Sequence, residues 1–143
     1  LVAAAGRLRS PMTWVRRWPV AERRRAMAAL DRVGMAWAAS RRTDTLSGGE
    51  RQKVAIARAL HQDAPIVLAD EPTASLDVHA AEEVVDMLSA IVTERGATLL
   101  CAIHDLSLVA RLAERAVVLR QGRVVADVAV ASSTSAHLRR LMQ

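Results

Sequence analysis

Apolar residues recur at helical spacing along the first third of the chain. After Pro19, residues 20–33 carry an apolar stripe beside a group of arginines, and Gly34 follows where a helix would end. The predicted stripe consists of Ala26, Met27, Leu30 and Val33. A helix is therefore expected here, with the arginines forming a solvated face.

Two longer helices are predicted further along. One begins at Ser47 and runs through Leu60, and its apolar residues surround most of the helix, so we expect much of it to be buried. The other runs from about Val78 to Glu94, with Gly96 as its C-terminal cap. Its apolar stripe is Ala81, Val84, Val85, Leu88 and Ile91.

Short apolar runs alternate with these helices. Residues 66–69 and 98–103 lack polar interruptions apart from Thr98, which is typical of strands buried on both faces of a parallel sheet. A short helix through Leu106, Val109 and Leu112 should precede a hairpin with strands at 116–119 and 124–126. A soft linker at 131–136 precedes a final short helix. The alternation predicts an α/β fold.

Two carboxylates and an imidazole follow the two parallel strands. Asp70 and Glu71 end the first strand and His104 ends the second, so all three should lie at one edge of the sheet, where open α/β sheets bind ligands. In phosphoryl transfer one carboxylate can hold Mg²⁺ while the next positions the attacking water. The alternatives are a solvated Asp-Glu-Pro turn and a structural histidine.

The start of the second helix can bind an anion. Glycines at 48 and 49 let backbone N–H groups approach a phosphate at the helix N-terminus. Ser47 and Glu50 also have the spacing of a capping box, which only starts the helix, and both interpretations can hold together. Asp77 is placed to cap the third helix.

Composition narrows the function classes. The net charge is +5, yet Lys53 is the only lysine and no Phe or Tyr is present. Binders of single-stranded nucleic acid usually combine positive charge with stacking aromatics, so nucleic acid is not an expected partner. Cys101 is the only cysteine, which favours a reducing, cytoplasmic setting. No apolar run approaches the length of a membrane span, and the N-terminus lacks the charged-then-apolar pattern of a secretion signal.

Three ordered motifs resemble a known family. Residues 46–60, Leu-Ser-Gly-Gly-Glu-Arg-Gln-Lys-Val-Ala-Ile-Ala-Arg-Ala-Leu, resemble the signature segment of ATP-binding cassette (ABC) proteins. Residues 66–77, Ile-Val-Leu-Ala-Asp-Glu-Pro-Thr-Ala-Ser-Leu-Asp, resemble their Walker B strand and D-loop, and His104 falls at the switch histidine. The resemblance implies a partial P-loop NTPase cassette fold that uses ATP and Mg²⁺.

The resemblance also implies roles for these residues. Asp70 would hold Mg²⁺ through water, Glu71 would act as general base, and His104 would contact the γ-phosphate. The signature residues would reach the ATP that a second cassette holds, and the D-loop would communicate across that dimer. The signature set is Ser47, Gly48, Gly49 and Glu50, and the D-loop pair is Ser75 and Asp77.

Other parts of the family pattern do not occur in these 143 residues. No Gly-rich loop ends in Gly-Lys-Ser/Thr, and neither an adenine-stacking aromatic nor a glutamine loop is recognised. Because the first residue is Leu1, we expect a C-terminal fragment of a longer cassette that does not hydrolyse ATP alone. We divide it into a helical signature subdomain (1–60), a core part (61–130) and a C-terminal segment (131–143).

The leading functional hypothesis is the ATPase of a transporter. It would lie on the cytoplasmic face of the membrane and act with a second cassette, permease subunits and, for an importer, a substrate-binding protein. The early segment, with Trp14 and Trp18 and residues 22–34, resembles phosphonate importer ATPases. The alternatives are a soluble cassette that acts on nucleic acid or ribosomes, and an inactive regulatory cassette.

Overall fold

The computed structural model describes residues 18–74, 76–130 and 139–140. The described residues form four α-helices and four β-strands, with two short 3₁₀ helices before the second α-helix. In order they are α1 (Val20–Arg32), the 3₁₀ turns Ala36–Ala38 and Thr43–Thr45, α2 (Gly48–Gln62), β1 (Ile66–Asp70), α3 (Val78–Arg95), β2 (Thr98–Ala102), α4 (Leu106–Leu112), β3 (Arg115–Arg120) and β4 (Arg123–Ala129). The predicted α/β class and the order of elements are confirmed.

The described strands form two separate two-stranded sheets. β1 pairs in parallel with β2, with Ile66 opposite Thr98 and Asp70 opposite Ala102, and α3 is the crossover between them. β3 and β4 pair in antiparallel around the predicted turn at Gln121 and Gly122. The parallel register brings both strand ends to one edge, which is where the candidate site lies.

The main core lies between α1, α2 and α3. Val84 of α3 is 1% exposed and packs in one cluster with Ile56 and Leu60 of α2 and Val33 after α1. Two smaller clusters lie under α4, around Val85 and Val109. The predicted apolar stripe of α3 is confirmed, because all five of its residues are buried.

Burial of the parallel strands on both faces was predicted and is wrong. Along β1 and β2 exposed and half-buried residues alternate, as in a sheet covered on one face only. Ile66, Leu68 and Leu100 are 59%, 74% and 66% exposed. The physical reason is that no element in the described part of the chain packs on that side, so these three apolar side chains meet solvent.

The burial of α1 and α2 also differs from the prediction. Of the predicted stripe of α1, Val33 is buried and Ala26 and Leu30 are half-buried, but Met27 is 47% exposed. Glu22 and Ala29, which were not predicted, are buried, so the helix is rotated slightly from the prediction. The cause is contact with α2, where Nε2 of His61 lies 3.5 Å from Oε2 of Glu22. In α2 only one stripe is fully buried: Ile56, Ala57, Leu60 and His61. The arginine face is confirmed at Arg23 and Arg24, which are exposed.

Several sequence features fall outside the described residues. They include Trp14, Arg16, Arg17 and the linker at 131–136. Of the predicted final helix, the structure describes residues 139–140, and these are helical. Among the helices that the structure does describe, none combines the length and the apolar character needed to span a membrane.

Candidate functional site

The acidic pair lies at the carboxyl end of β1. Asp70 is the last residue of the strand, and Glu71 follows with a φ of 43°, a left-handed conformation that few residues other than glycine adopt. The backbone N–H of Glu71 donates a hydrogen bond to the carbonyl of Ala102, 2.9 Å away at the end of β2. The chain therefore leaves the strand abruptly at Glu71, and the neighbouring strand holds it there.

His104 reaches the same edge from β2. Its Nδ1 lies 3.6 Å from Oε1 of Glu71, and the two side chains are 67% and 55% exposed. The prediction that the imidazole and the acids share one edge is confirmed. A carboxylate and an imidazole that both face solvent can accept and donate protons to the same bound group.

A cleft adjoins the imidazole. It has a volume of about 510 Å³, and its lining includes Thr73, Leu76 and Val78 on one side and Asp105 and Ser107 at the start of α4. Asp105 caps α4 through hydrogen bonds from Ser107, whose hydroxyl and backbone N–H hold the pKa of Asp105 below its usual range. Of the three residues at the edge, His104 is the one that lines this cleft, together with both polar and apolar side chains.

The predicted capping box at the start of α2 is confirmed. Oγ of Ser47 accepts a hydrogen bond from the backbone N–H of Glu50 at 3.3 Å, and Oε2 of Glu50 accepts one from the backbone N–H of Ser47 at 2.7 Å. The backbone N–H of Ser47 is the main reason that the pKa of Glu50 lies below its usual range. Gly48 and Gly49 form the first turn beside this cap, where helix N–H groups can bind an anion.

The cap of α3 is also as predicted. Oδ1 of Asp77 accepts a hydrogen bond from the backbone N–H of Ala80 at 3.0 Å, and this bond lowers the pKa of Asp77. A Cβ placed on Gly49 would lie 3.9 Å from Cδ2 of Leu76, so the starts of α2 and α3 are neighbours. Ser75, the other predicted D-loop residue, lies outside the described residues.

Two groups of site residues remain apart within one chain. Among the described residues, no hydrogen bond or ion pair joins the cap formed by Ser47 and Glu50 to Glu71 or His104. The structure brings Glu71 and His104 together at the sheet edge, and the serine-glycine cap makes no direct bond to either of them.

The donor chemistry at the edge suits Mg²⁺. Within the described segments, no group of three or more His, Cys, Asp or Glu residues could form a complete metal cage. Mg²⁺ commonly binds through one or two carboxylates, several waters and substrate phosphates. The exposed carboxylate of Asp70, beside Glu71, fits that partial donor set.

Sequence reasoning missed two features of the site. The left-handed backbone of Glu71 has no sequence signal, because the residue is not glycine, asparagine or aspartate. The second is the ion pair between Lys53 of α2 and Glu83 of α3, whose Nζ and Oε2 atoms are 2.5 Å apart. The two residues are 30 positions apart in the sequence. The sequence signal for this ion pair is that Lys53 is the only lysine in the sequence.

A chain with two acids and a histidine at the carboxyl edge of a parallel sheet, and with a capped glycine turn at the start of a helix, has features of a nucleotide-dependent phosphoryl-transfer protein. The ABC transporter family model matches residues 3–74, half of the chain, so the chain belongs to that family.

The named relatives are import subunits. The chain is 47% identical over 124 residues to a "Phosphonates import ATP-binding protein PhnC" of Frankia casuarinae, covering 87% of this chain and 49% of the relative. It is 46% identical over 127 residues to a "Phosphate-import ATP-binding protein PhnC" of Mycolicibacterium smegmatis, covering 89% and 48%. The predicted similarity to phosphonate importer ATPases is confirmed. The chain spans about half the length of these relatives.

Solved structures of cassettes share the fold. An inward-facing metal-chelate type ABC transporter superposes with a TM-score of 0.85 at 25% identity, covering 98% of this chain and 55% of that one. The dimeric cassette MJ0796 superposes with a TM-score of 0.70 at 35% identity, covering 80% and 50%, and the same cassette has a post-hydrolysis dimer bound to ADP and Pi. The predicted partial cassette fold is confirmed.

Proposed function

We propose that this chain is part of the ATP-binding subunit of an ABC importer, and that the whole subunit hydrolyses ATP to drive transport. The observation that carries the proposal is the convergence of Glu71 and His104 at the edge where β1 and β2 end. The named import relatives favour transport over the soluble cassette acting on nucleic acid or ribosomes. The presence of both a carboxylate and an imidazole at the edge favours catalysis over an inactive regulatory role.

The sheet edge would supply the catalytic groups. Asp70 would hold Mg²⁺ through water, and the bound ion would offset negative charge on the phosphates. Glu71 would accept a proton from the attacking water, for which its left-handed backbone fixes the direction of the carboxylate. The imidazole of His104 would donate a hydrogen bond to the γ-phosphate.

The second half of the ATP site would come from another chain. Ser47, Gly48 and Gly49 would bind the γ-phosphate of ATP held by a partner cassette, and Glu50 would serve chiefly to hold their cap. The dimeric cassette structure of MJ0796, which shares the fold, supports this arrangement. Ser75 and Asp77 would lie at the dimer contact as the D-loop.

The remaining partners follow from the import relatives. We infer permease subunits in the membrane, a substrate-binding protein outside it and a position on the cytoplasmic face. Phosphonates are the inferred cargo; the relatives' names include both phosphonates and phosphate, which share a tetrahedral phosphorus oxyanion.

The chain would contribute distinct parts to the whole subunit. Residues 1–60 would form the helical signature subdomain, 61–130 part of the core and 131–143 a C-terminal segment. The loop that holds ATP in each cassette would come from the rest of the subunit, since Gly-Lys-Ser/Thr does not occur in these 143 residues. The isolated chain would therefore bind ATP poorly and show no turnover.

Substitution of Glu71 tests the proposal. In a full-length cassette that contains this chain, Glu71→Gln should lower kcat at least about a hundredfold, because the amide cannot accept the proton. ATP binding should persist, since the amide is isosteric and the phosphate-holding loop is unchanged. The control is Glu114→Gln, an exposed carboxylate between α4 and β3 that has no role in the proposed site, and it should keep normal turnover. Unchanged turnover by the Glu71 variant would contradict the proposal.

A further inference from the structure

An ion pair joins the signature helix to the helix that follows the D-loop. Nζ of Lys53 lies 2.5 Å from Oε2 of Glu83, and the two side chains are only 25% and 37% exposed. His79, in the first turn of α3, approaches the other carboxylate oxygen of Glu83 at 3.6 Å. The hydrogen bond from Lys53, together with its positive charge, lowers the pKa of Glu83 below its usual range.

The two helices are also tied at their far ends. Nη1 of Arg95, in the last turn of α3, donates to the carbonyl of Leu60 at 2.7 Å and to Oδ1 of Asp63 at 2.8 Å. Between the two ties the contact is apolar, and such packing has no preferred direction. The polar contacts at the two ends therefore limit how far α2 can slide along α3. The contact nearer the N-termini of both helices is the ion pair between Lys53 and Glu83.

Those N-termini carry the residues assigned to the dimer contact. Gly49 lies against Leu76, and Asp77 caps α3 directly after it. Lys53 lies one turn beyond Gly49 in α2, and Glu83 lies six residues beyond Asp77 in α3. A shift of α2 along α3 would change the position of Gly49 relative to residues 73–77.

We propose that Lys53 is a positioning residue: its ion pair with Glu83 sets the register between the signature turn and the D-loop segment. This inference rests on the proposed function, in which both segments meet ATP or the partner chain. A displacement of about 1 Å at reacting groups can cost a large factor in rate. Lys53 would act through the position of Ser47, Gly48 and Gly49.

The test uses a full-length cassette and four variants. Lys53→Gln and Glu83→Gln should each lower kcat about three- to tenfold, and the double variant should be no worse than either alone, because neighbouring partners are not additive. ATP affinity of the monomeric cassette should be unchanged in each case. The charge reversal, Lys53→Glu with Glu83→Lys, should restore turnover to within about twofold of the wild type.

The matched control is Asp86→Asn. Asp86 lies three residues after Glu83 in α3, but it pairs with Arg111 of α4 at 2.8 Å and not with α2. It should leave kcat unchanged. Equal losses in the Asp86 and Lys53 variants, full activity of Lys53→Gln, or no recovery on charge reversal would overturn the inference. An inactive wild-type cassette would instead contradict the proposed function itself.

Discussion

Glu71 is held in a backbone conformation that its side chain disfavours. A left-handed φ costs a residue other than glycine about 1–2 kcal/mol, which the surrounding structure must offset. The hydrogen bond from its backbone N–H to Ala102 is one such contribution. Strain of this kind clusters at functional sites, where it aims a side chain. At Glu71 it turns the carboxylate toward His104.

The strain predicts an unusual order of stability for two substitutions. Glu71→Gly and Glu71→Ala both remove the carboxylate, but only glycine adopts a φ of 43° without cost. We expect the glycine variant to be more stable than the alanine variant by about 1 kcal/mol. Thermal denaturation of the two full-length cassettes measures the difference. Alanine matching or exceeding glycine would show that Glu71 is not strained.

At the scale of elements, a carboxylate stabilises the first turn of each of the two helices that carry the candidate dimer contacts, α2 and α3. Glu50 accepts from the N–H of Ser47, and Asp77 accepts from the N–H of Ala80. These hydrogen bonds favour the ionised carboxylates and so lower both pKa values. The capping box of Ser47 and Glu50 fixes where α2 begins, and it therefore fixes the position of the signature turn.

The lowered pKa values predict acid sensitivity. A group whose pKa is lower in the folded state contributes stability above its unfolded pKa, and this contribution disappears as the pH falls through the folded value. Stability contributed by Glu50 and Asp77 should therefore be complete near neutral pH and be lost below about pH 4. The double variant Glu50→Gln with Asp77→Asn should show a smaller fall in Tm between pH 6 and pH 3. An identical pH profile in wild type and variant would contradict this.

Elements formed by local pattern were predictable, and features set by tertiary packing were not. The caps at Ser47 and Asp77 and the αL residue Gly96 are local, and each was expected from the sequence. The exposure of Met27 was not expected, because the rotation of α1 depends on a distant partner in α2. The edge shared by Glu71 and His104 was predictable from parallel pairing alone.

At the scale of the whole molecule, the parallel sheet has one uncovered face. Ile66, Leu68 and Leu100 are exposed there, although parallel sheets are generally covered on both faces. The curated relatives are about twice as long as this chain. Burial on both faces could not be judged from β1 and β2 alone, because it depends on what packs against them.

The uncovered face predicts that the isolated chain self-associates. Leu68→Lys with Leu100→Lys should lower its aggregation, because both charges would replace exposed apolar side chains. The control is Ala55→Lys with Ala110→Lys, which adds the same charge at exposed helix positions. Light scattering of the 143-residue chains measures the effect. If both pairs of substitutions lower aggregation equally, the effect comes from net charge and not from the sheet face.

The central claim is that the acidic edge of one chain and the serine-glycine cap of another complete one ATP site. Full-length cassettes carrying Ser47→Arg or Glu71→Gln should each be inactive alone. An equal mixture should recover roughly a quarter of wild-type turnover, because half of the dimers are mixed and each mixed dimer holds one intact site. The decisive measurement is the ATPase rate of that mixture. Recovery is the predicted result, and a mixture as inactive as its components would contradict the claim.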